Sequence, residues 1–223
     1  MKSCKVSKED MRLYVVTDRS WLGTGGRPDT LEAQVEEALA GGATFLQLRE
    51  KGADRENFLD TARKLKALAA GHRIPFVVND DLEVAKAADA DGVHLGQGDA
   101  SPEEARILLG SGKIVGVSAH TVEQALRAQE QGVDYIGVGA VFSTSTKADA
   151  RPLPRTTLEA ICRQVEIPVV AIGGIQAENI LELEGAGIDG VAVVSAVFAQ
   201  PDIRKAAGAL RRLSETLVAG GRR

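Results

Sequence analysis

The chain has 223 residues, 44% hydrophobic and 26% charged, with 27 basic against 31 acidic side chains and a formal net charge of -4. These values suit a globular protein with a real core and lack the basic surplus that nucleic acid or an anionic membrane surface would select. Cys4 and Cys162 supply neither a disulfide framework nor a zinc spacing. The opening MKSCKVSKED has no apolar core of a signal peptide, and no apolar run is long enough to span a bilayer, so the expected location is the cytoplasm.

In chain order, short β-branched runs predict strands at 12–17, 44–49, 75–79, 91–95, 113–118, 133–139, 167–172 and 189–195. Amphipathic stretches predict helices near 30–41, 54–70, 82–89, 102–110, 121–131, 156–165, 177–185 and 201–218. Thr30, Ser101 and Thr121 are N-terminal signals, and Gly41, Gly71, Gly110, Gly132 and Gly185 are expected to close helices. Eight strand–helix units without a linker predict one (β/α)₈ barrel over 1–223, with an N-terminal extension at 1–11 and a flexible tail at 219–223. A doubly wound open sheet is the alternative, because periodicity does not report closure.

Barrel enzymes carry their chemistry on the loops after the strand C-termini. Strand 2 ends in Gln47, Arg49 and Lys51 on one face, an amide and two cations suited to a phosphorylated or diphosphorylated ligand. The structural alternative is a solvated end with Arg49 or Lys51 paired to Glu50. Strand 3 ends in Asn79-Asp80-Asp81, and strand 4 leads to Asp99. Asp80 and Asp99, on neighbouring strand ends, suit one Mg²⁺ shared with diphosphate oxygens and water. Asp81 is placed to cap the next helix, and Asp99 could do likewise.

Strand 5 closes on Ser118, a phosphate donor candidate, followed by His120. His94 is expected as a hydrogen-bonded core residue, and no two histidines have metal-ligand spacing. Strand 7 runs into Gly173-Gly174 and strand 8 into Val194-Ser195, the usual phosphate position of such barrels. No activated nucleophile is apparent. Two anion-gripping zones without a protein nucleophile imply transfer between two phosphorylated ligands.

The blocks LYVVTD (13–18), QLREK (47–51), VND (78–80), DGVHLGQGD (91–99), GVSAHT (116–121), GVGAVFSTSTK (137–147), AIGGI (171–175) and GVAVVSA (190–196) together resemble the thiamine-phosphate synthase family. The match runs in order from Leu13 to Phe198. It implies a Mg²⁺-dependent transferase that joins 4-amino-2-methyl-5-hydroxymethylpyrimidine diphosphate to a hydroxyethylthiazole phosphate or its carboxylated form. Pyrophosphate is released by a dissociative substitution, and the partners are these small molecules; a homo-oligomer is left open.

Carried over by position, the resemblance gives Gln47, Arg49, Lys51 and Asn79 to the pyrimidine diphosphate and Asp80 and Asp99 to Mg²⁺. Ser118 and Lys147 go to the diphosphate, and Arg49, Lys51, Ser118 and Lys147 make up the catalytic set. Thr144 and Thr146 go to the thiazole phosphate and diphosphate, and the backbone at Gly174, Val194 and Ser195 to the thiazole-phosphate cradle. Asp81, Glu83 and the stretch 150–159 depart from the family pattern without removing any of these residues. The related thiazole tautomerase is the rival, since His120 lies where that enzyme has a histidine, but it does not need the diphosphate and metal set. A sugar-phosphate epimerase would want a paired acid and base, which the sequence lacks. A non-catalytic phosphate binder would gain nothing from charge placed at a leaving group.

Overall fold

The computed structural model describes residues 6–144 and 152–220. The strands are β1 (Leu13–Val16), β2 (Phe45–Leu48), β3 (Phe76–Asn79), β4 (Gly92–Leu95), β5 (Ile114–Ala119), β6 (Tyr135–Gly139), β7 (Val169–Ile172) and β8 (Gly190–Val193). Every neighbouring pair is parallel, and β8 returns to β1, so the sheet is a closed barrel in sequence order. The open-sheet alternative is excluded. The helices are α1 (Leu31–Ala40), α2 (Arg55–His72), α3 (Leu82–Ala87), α4 (Pro102–Leu109), α5 (Val122–Glu130), α6 (Arg155–Gln164), α7 (Ser195–Phe198) and α8 (Ile203–Gly220). Among the described residues no helix is long and apolar enough to cross a membrane.

Strand alternation divides the apolar residues into two layers. Leu13, Val15, Leu46, Leu48, Phe76, Val78, Val93 and Leu95 face outward, onto helix residues such as Val35, Leu39 and Leu65. Tyr14, Val16, Phe45, Val77, Ile114, Tyr135, Val170 and Ala192 fill the barrel interior, and Val6 and Met11 from the N-terminal segment pack with them. Three aromatic rings dominate that interior: Tyr14 and Phe45 lie 4.5 Å apart by centroid, and Phe45 and Tyr135 lie 5.4 Å apart. Room for them comes from small residues at inward positions. A Cβ at Gly116 would fall 2.1 Å from Tyr135 Cζ, so only glycine fits there.

The expected caps form. Thr30 accepts from the Ala33 amide, Thr121 from Gln124 and Asp81 from Val84. Ser101 and Glu104 make a reciprocal capping box at the start of α4. Ser101→Ala is therefore expected to lower stability by about 1 kcal/mol without changing catalysis, measurable as a shifted urea midpoint at unchanged m-value.

Some boundaries differ. Helix α2 passes through Gly71 and stops at His72, where Arg73 turns left-handed (φ 59°) and the Ile74 amide reaches back to the Ala69 carbonyl. This Schellman-type closure lets half-buried Ile74 pack on the core. The predicted helix at 177–185 shrinks to a 3₁₀ turn, Ile180–Leu183. Asn179 there accepts from the Gln176 amide and donates to the Gly174 carbonyl, so its side chain competes with helical pairing and ties the turn to the β7 loop. At the other end, α8 continues through Gly220, into the segment expected to be a tail.

Candidate functional site

A cavity of about 640 Å³ opens at the C-terminal mouth of the barrel. Its floor is set by inward strand residues: Gln47 from β2, His94 from β4, Ser118 from β5 and Gly137 from β6. One wall carries Arg49 and Asn79, and the opposite wall carries Gly173, Gly174, Val194 and Ser195. Thr144 and the stretch Pro152, Leu153 and Pro154 form the third side. The structure therefore brings together Gln47, Arg49, Asn79, Ser118, Thr144, Gly174, Val194 and Ser195 from the residues expected at the site. Lys51 is exposed beyond this lining. Thr146 and Lys147 lie outside the described residues.

Arg49 is held by its backbone. Buried Thr17 accepts from the Arg49 amide through Oγ1 at 3.0 Å and donates to the Arg49 carbonyl at 3.4 Å. The Glu50 side chain turns away to pair with Arg19, which also donates to Thr61 Oγ1 at 2.9 Å. That removes the carboxylate most able to neutralise Arg49 or Lys51, and the structural alternative for this strand end is not what forms.

Asp80 and Asp99 meet at the rim. Asp80 takes a left-handed backbone (φ 65°) while its amide donates to the His94 carbonyl at 2.9 Å. Asp99 accepts from the Gly96 amide at 2.6 Å, and Ser101 rather than Asp99 caps α4. Partial burial, then hydrogen bonding to and repulsion from Asp99, push the Asp80 carboxyl up to about 7, against the pull of Arg49 and Asn79. Two carboxylates so arranged suit a shared cation. Among the described residues no group of three or more His, Cys, Asp or Glu surrounds that point. An ion there would be completed by water and ligand oxygens, the habit of Mg²⁺ rather than of zinc.

The histidines are accounted for. His94 is 9% exposed and hydrogen-bonded at both ring nitrogens, to Tyr135 and to Ser118. Burial lowers its pKa to about 4 despite the charge of Asp99, so it is neutral at pH 7. His120 lies against the Gly139 carbonyl through Nδ1 at 2.6 Å, and His72 against Glu36 at 3.0 Å on the surface. Cys162 is remote from the mouth, and burial pushes its thiol up to about 12, so it is no nucleophile.

On the glycine wall, Gly173 and Gly174 have φ of 102° and 67°, conformations that favour glycine. Ser195 Oγ accepts from Gln176 Nε2 at 3.2 Å. Sequence reasoning missed the Pro152–Pro154 wall, which Leu153 fastens by donating its amide to the Ala140 carbonyl at 2.6 Å. It also placed His94 only in the core. The parity of Gln47, His94 and Ser118 along their strands was the available signal that they share one floor.

A family profile described as thiamine monophosphate synthase matches residues 13–197. A thiamine-phosphate synthase of Ruminiclostridium cellulolyticum is 49% identical over 201 residues, covering 90% of this chain and 94% of that protein. One from Clostridium botulinum is 44% identical over 205 residues, covering 92% and 94%. The solved thiamine phosphate pyrophosphorylase of Pyrococcus furiosus is 40% identical and superposes with a TM-score of 0.85, covering 95% of this chain and 98% of that one. The chain belongs to the thiamine-phosphate synthase family.

Proposed function

We propose that this transferase joins 4-amino-2-methyl-5-hydroxymethylpyrimidine diphosphate to a thiazole phosphate at the barrel mouth, giving thiamine phosphate and pyrophosphate in the cytoplasm. The observation that carries the reading is the division of one cavity into a charged wall, with Arg49 and Asn79 beside the Asp80–Asp99 pair, and a glycine–serine wall at Gly174 and Ser195. Two phosphorylated ligands would then meet over the Gln47–Ser118 floor.

In this assignment Gln47 and Asn79 orient the pyrimidine diphosphate, and Arg49, Lys51, Ser118 and Lys147 hold its diphosphate as the C–O bond breaks. The pyrimidine amino group spreads the resulting positive charge, and the thiazole nitrogen captures the methylene carbon. That nitrogen carries no proton, so no general base is required. The work left to the protein is to stabilise the leaving diphosphate with preorganised donors. Asp80 and Asp99 would hold Mg²⁺, which neutralises diphosphate charge when bound. Gly174, Val194 and Ser195, with Thr144 and Thr146, would seat the thiazole phosphate.

Incubating the pure protein with both substrates and Mg²⁺ is expected to yield thiamine phosphate and pyrophosphate in equal amounts. Folded protein that forms neither would overturn the reading. Turnover that survives exhaustive chelation would remove the assignment of Asp80 and Asp99. Lys147→Ala is expected to slow turnover about tenfold, the effect of one lost hydrogen bond to a charged group.

A further inference from the structure

Ser118 stands at the end of a buried row of polar groups. Its Oγ lies 3.0 Å from His94 Nε2, and His94 Nδ1 lies 2.9 Å from the Tyr135 hydroxyl. The Tyr135 oxygen is 2.8 Å from the Tyr14 oxygen, which accepts from Gln47 Nε2 at 2.8 Å. The row crosses the interior through β2, β1, β6, β4 and β5. Gln47 is 4% exposed and Tyr135 fully buried, so water does not compete for the inner bonds.

Taken singly, the hydroxyl and imidazole bonds could run in either direction. Together they run in one. An amide nitrogen can only donate, so the Tyr14 oxygen accepts from Gln47; among the described residues the Tyr135 oxygen is then the acceptor within reach of the Tyr14 proton, and a bond in the other direction would leave that buried proton unpaired. Tyr135 then has its own proton to give, and His94 Nδ1 receives it. A neutral imidazole has one N–H, which is left on Nε2 and points at Ser118 Oγ. With its oxygen already accepting, Ser118 has a proton free to aim into the cavity.

The proton count holds at neutral pH. Burial drives both tyrosine hydroxyls well above their ordinary range, so each brings one proton to the row, and the His94 ring nitrogens are enclosed between the Tyr135 and Ser118 hydroxyls. The barrel also reserves space for the row. A Cβ at Gly116 would stand 2.4 Å from the Tyr135 hydroxyl oxygen, and one at Gly137 would press to 3.3 Å from His94 Cε1.

We propose that Gln47, Tyr14, Tyr135 and His94 form a one-way hydrogen-bond row that holds Ser118 as a donor to the leaving diphosphate. The three inner residues are positioning residues, acting through Ser118; the role of Ser118 itself rests on the function proposed above. Phosphate oxygens only accept, so a serine locked as donor complements them, whereas one turned to give its proton to histidine would present lone pairs to a negative charge.

The first test needs no substrate, and it reads the wild-type protein. Long-range ¹H–¹⁵N correlation on labelled wild-type protein at neutral pH, with His94 identified by its loss in His94→Gln, is expected to show Nε2 protonated and Nδ1 bare. The opposite tautomer, or an average of the two, overturns the row. In turnover, Ser118→Ala is expected to lower kcat about tenfold with the KM for the thiazole phosphate unchanged. Tyr135→Phe should do the same in the wild type and add nothing in the Ser118→Ala background. An equal loss in both backgrounds would mean that Tyr135 acts by packing, against the proposal. His94→Gln, which keeps an amide donor near the Nε2 position, should recover most of what His94→Leu loses. Unchanged turnover in Ser118→Ala would overturn the diphosphate contact, while the tautomer measurement judges the row independently.

Discussion

Arg49→Ala is expected to lower kcat/KM for the pyrimidine diphosphate by about 10²–10³-fold, the cost of one preorganised electrostatic donor in a catalytic site. Three observations set the size of this effect. The backbone on which Arg49 stands is fixed in both directions by the Thr17 hydroxyl, so the side chain starts from a rigid point. Its adjoining carboxylate, Glu50, is committed to Arg19. Its guanidinium is near enough to Asp80 to pull that carboxyl toward ionisation, which places positive charge beside the Asp80–Asp99 pair. A planar fork can also engage two phosphate oxygens at once, which an ammonium cannot. Arg49→Lys should accordingly recover charge but not geometry and fall between the two. The measurement is steady-state kinetics with the pyrimidine diphosphate varied at saturating thiazole phosphate. A value for Arg49→Ala within threefold of the wild type would remove Arg49 from the leaving-group role.

The barrel was legible because its signals are local and redundant. Each strand announces itself by β-branched residues and each crossover by a capped amphipathic stretch; the count of eight units favoured a barrel, and the pairing of β8 with β1 is what closes it. The misreadings arose where a single side chain outweighed the local pattern. Asn179 spends its amide on the loop instead of continuing a helix, and Ile74 draws α2 one turn-closing residue past Gly71. Neither choice is visible without knowing what the segment packs against.

The site was legible only in part, for a related reason. Strand ends can be read in order, so Arg49, Asn79, Ser118 and Gly174 were reachable as a set. What alternation alone did not reveal is which inward residues touch across the barrel. Gln47 and Ser118 belong to non-adjacent strands, and they communicate through Tyr14, Tyr135 and His94 only because the closed sheet brings those rings within hydrogen-bond reach. Likewise, nothing local to Glu50 signals that Arg19, from another loop, will claim it.

Gly174→Ala should cost about 10²-fold in kcat/KM for the thiazole phosphate, by displacing a loop rather than by removing a functional group. The position has φ 67°, where an L-residue is strained by roughly 1–2 kcal/mol. A Cβ there would also stand 2.3 Å from the Ser143 carbonyl oxygen and 2.9 Å from the Phe142 carbonyl carbon. Both are backbone atoms, so no rotamer change can relieve the contact. The two loops are moreover zipped together: the Val141 amide donates to the Ile172 carbonyl at 2.9 Å, and the Phe142 amide to Gly173 at 3.0 Å. The added methyl must therefore open that zipper, moving Thr144 away from the glycine wall, or strain the β7 loop that lines the cavity. A displacement on the order of 1 Å is enough for the expected loss. Because the charged wall is across the mouth, KM for the pyrimidine diphosphate should change much less. Gly98→Ala is the control, since a Cβ there meets nothing within 4 Å. Equal losses for the two substrates would show that Gly174→Ala disturbs the whole mouth, and that the division of the cavity into two phosphate walls is wrong.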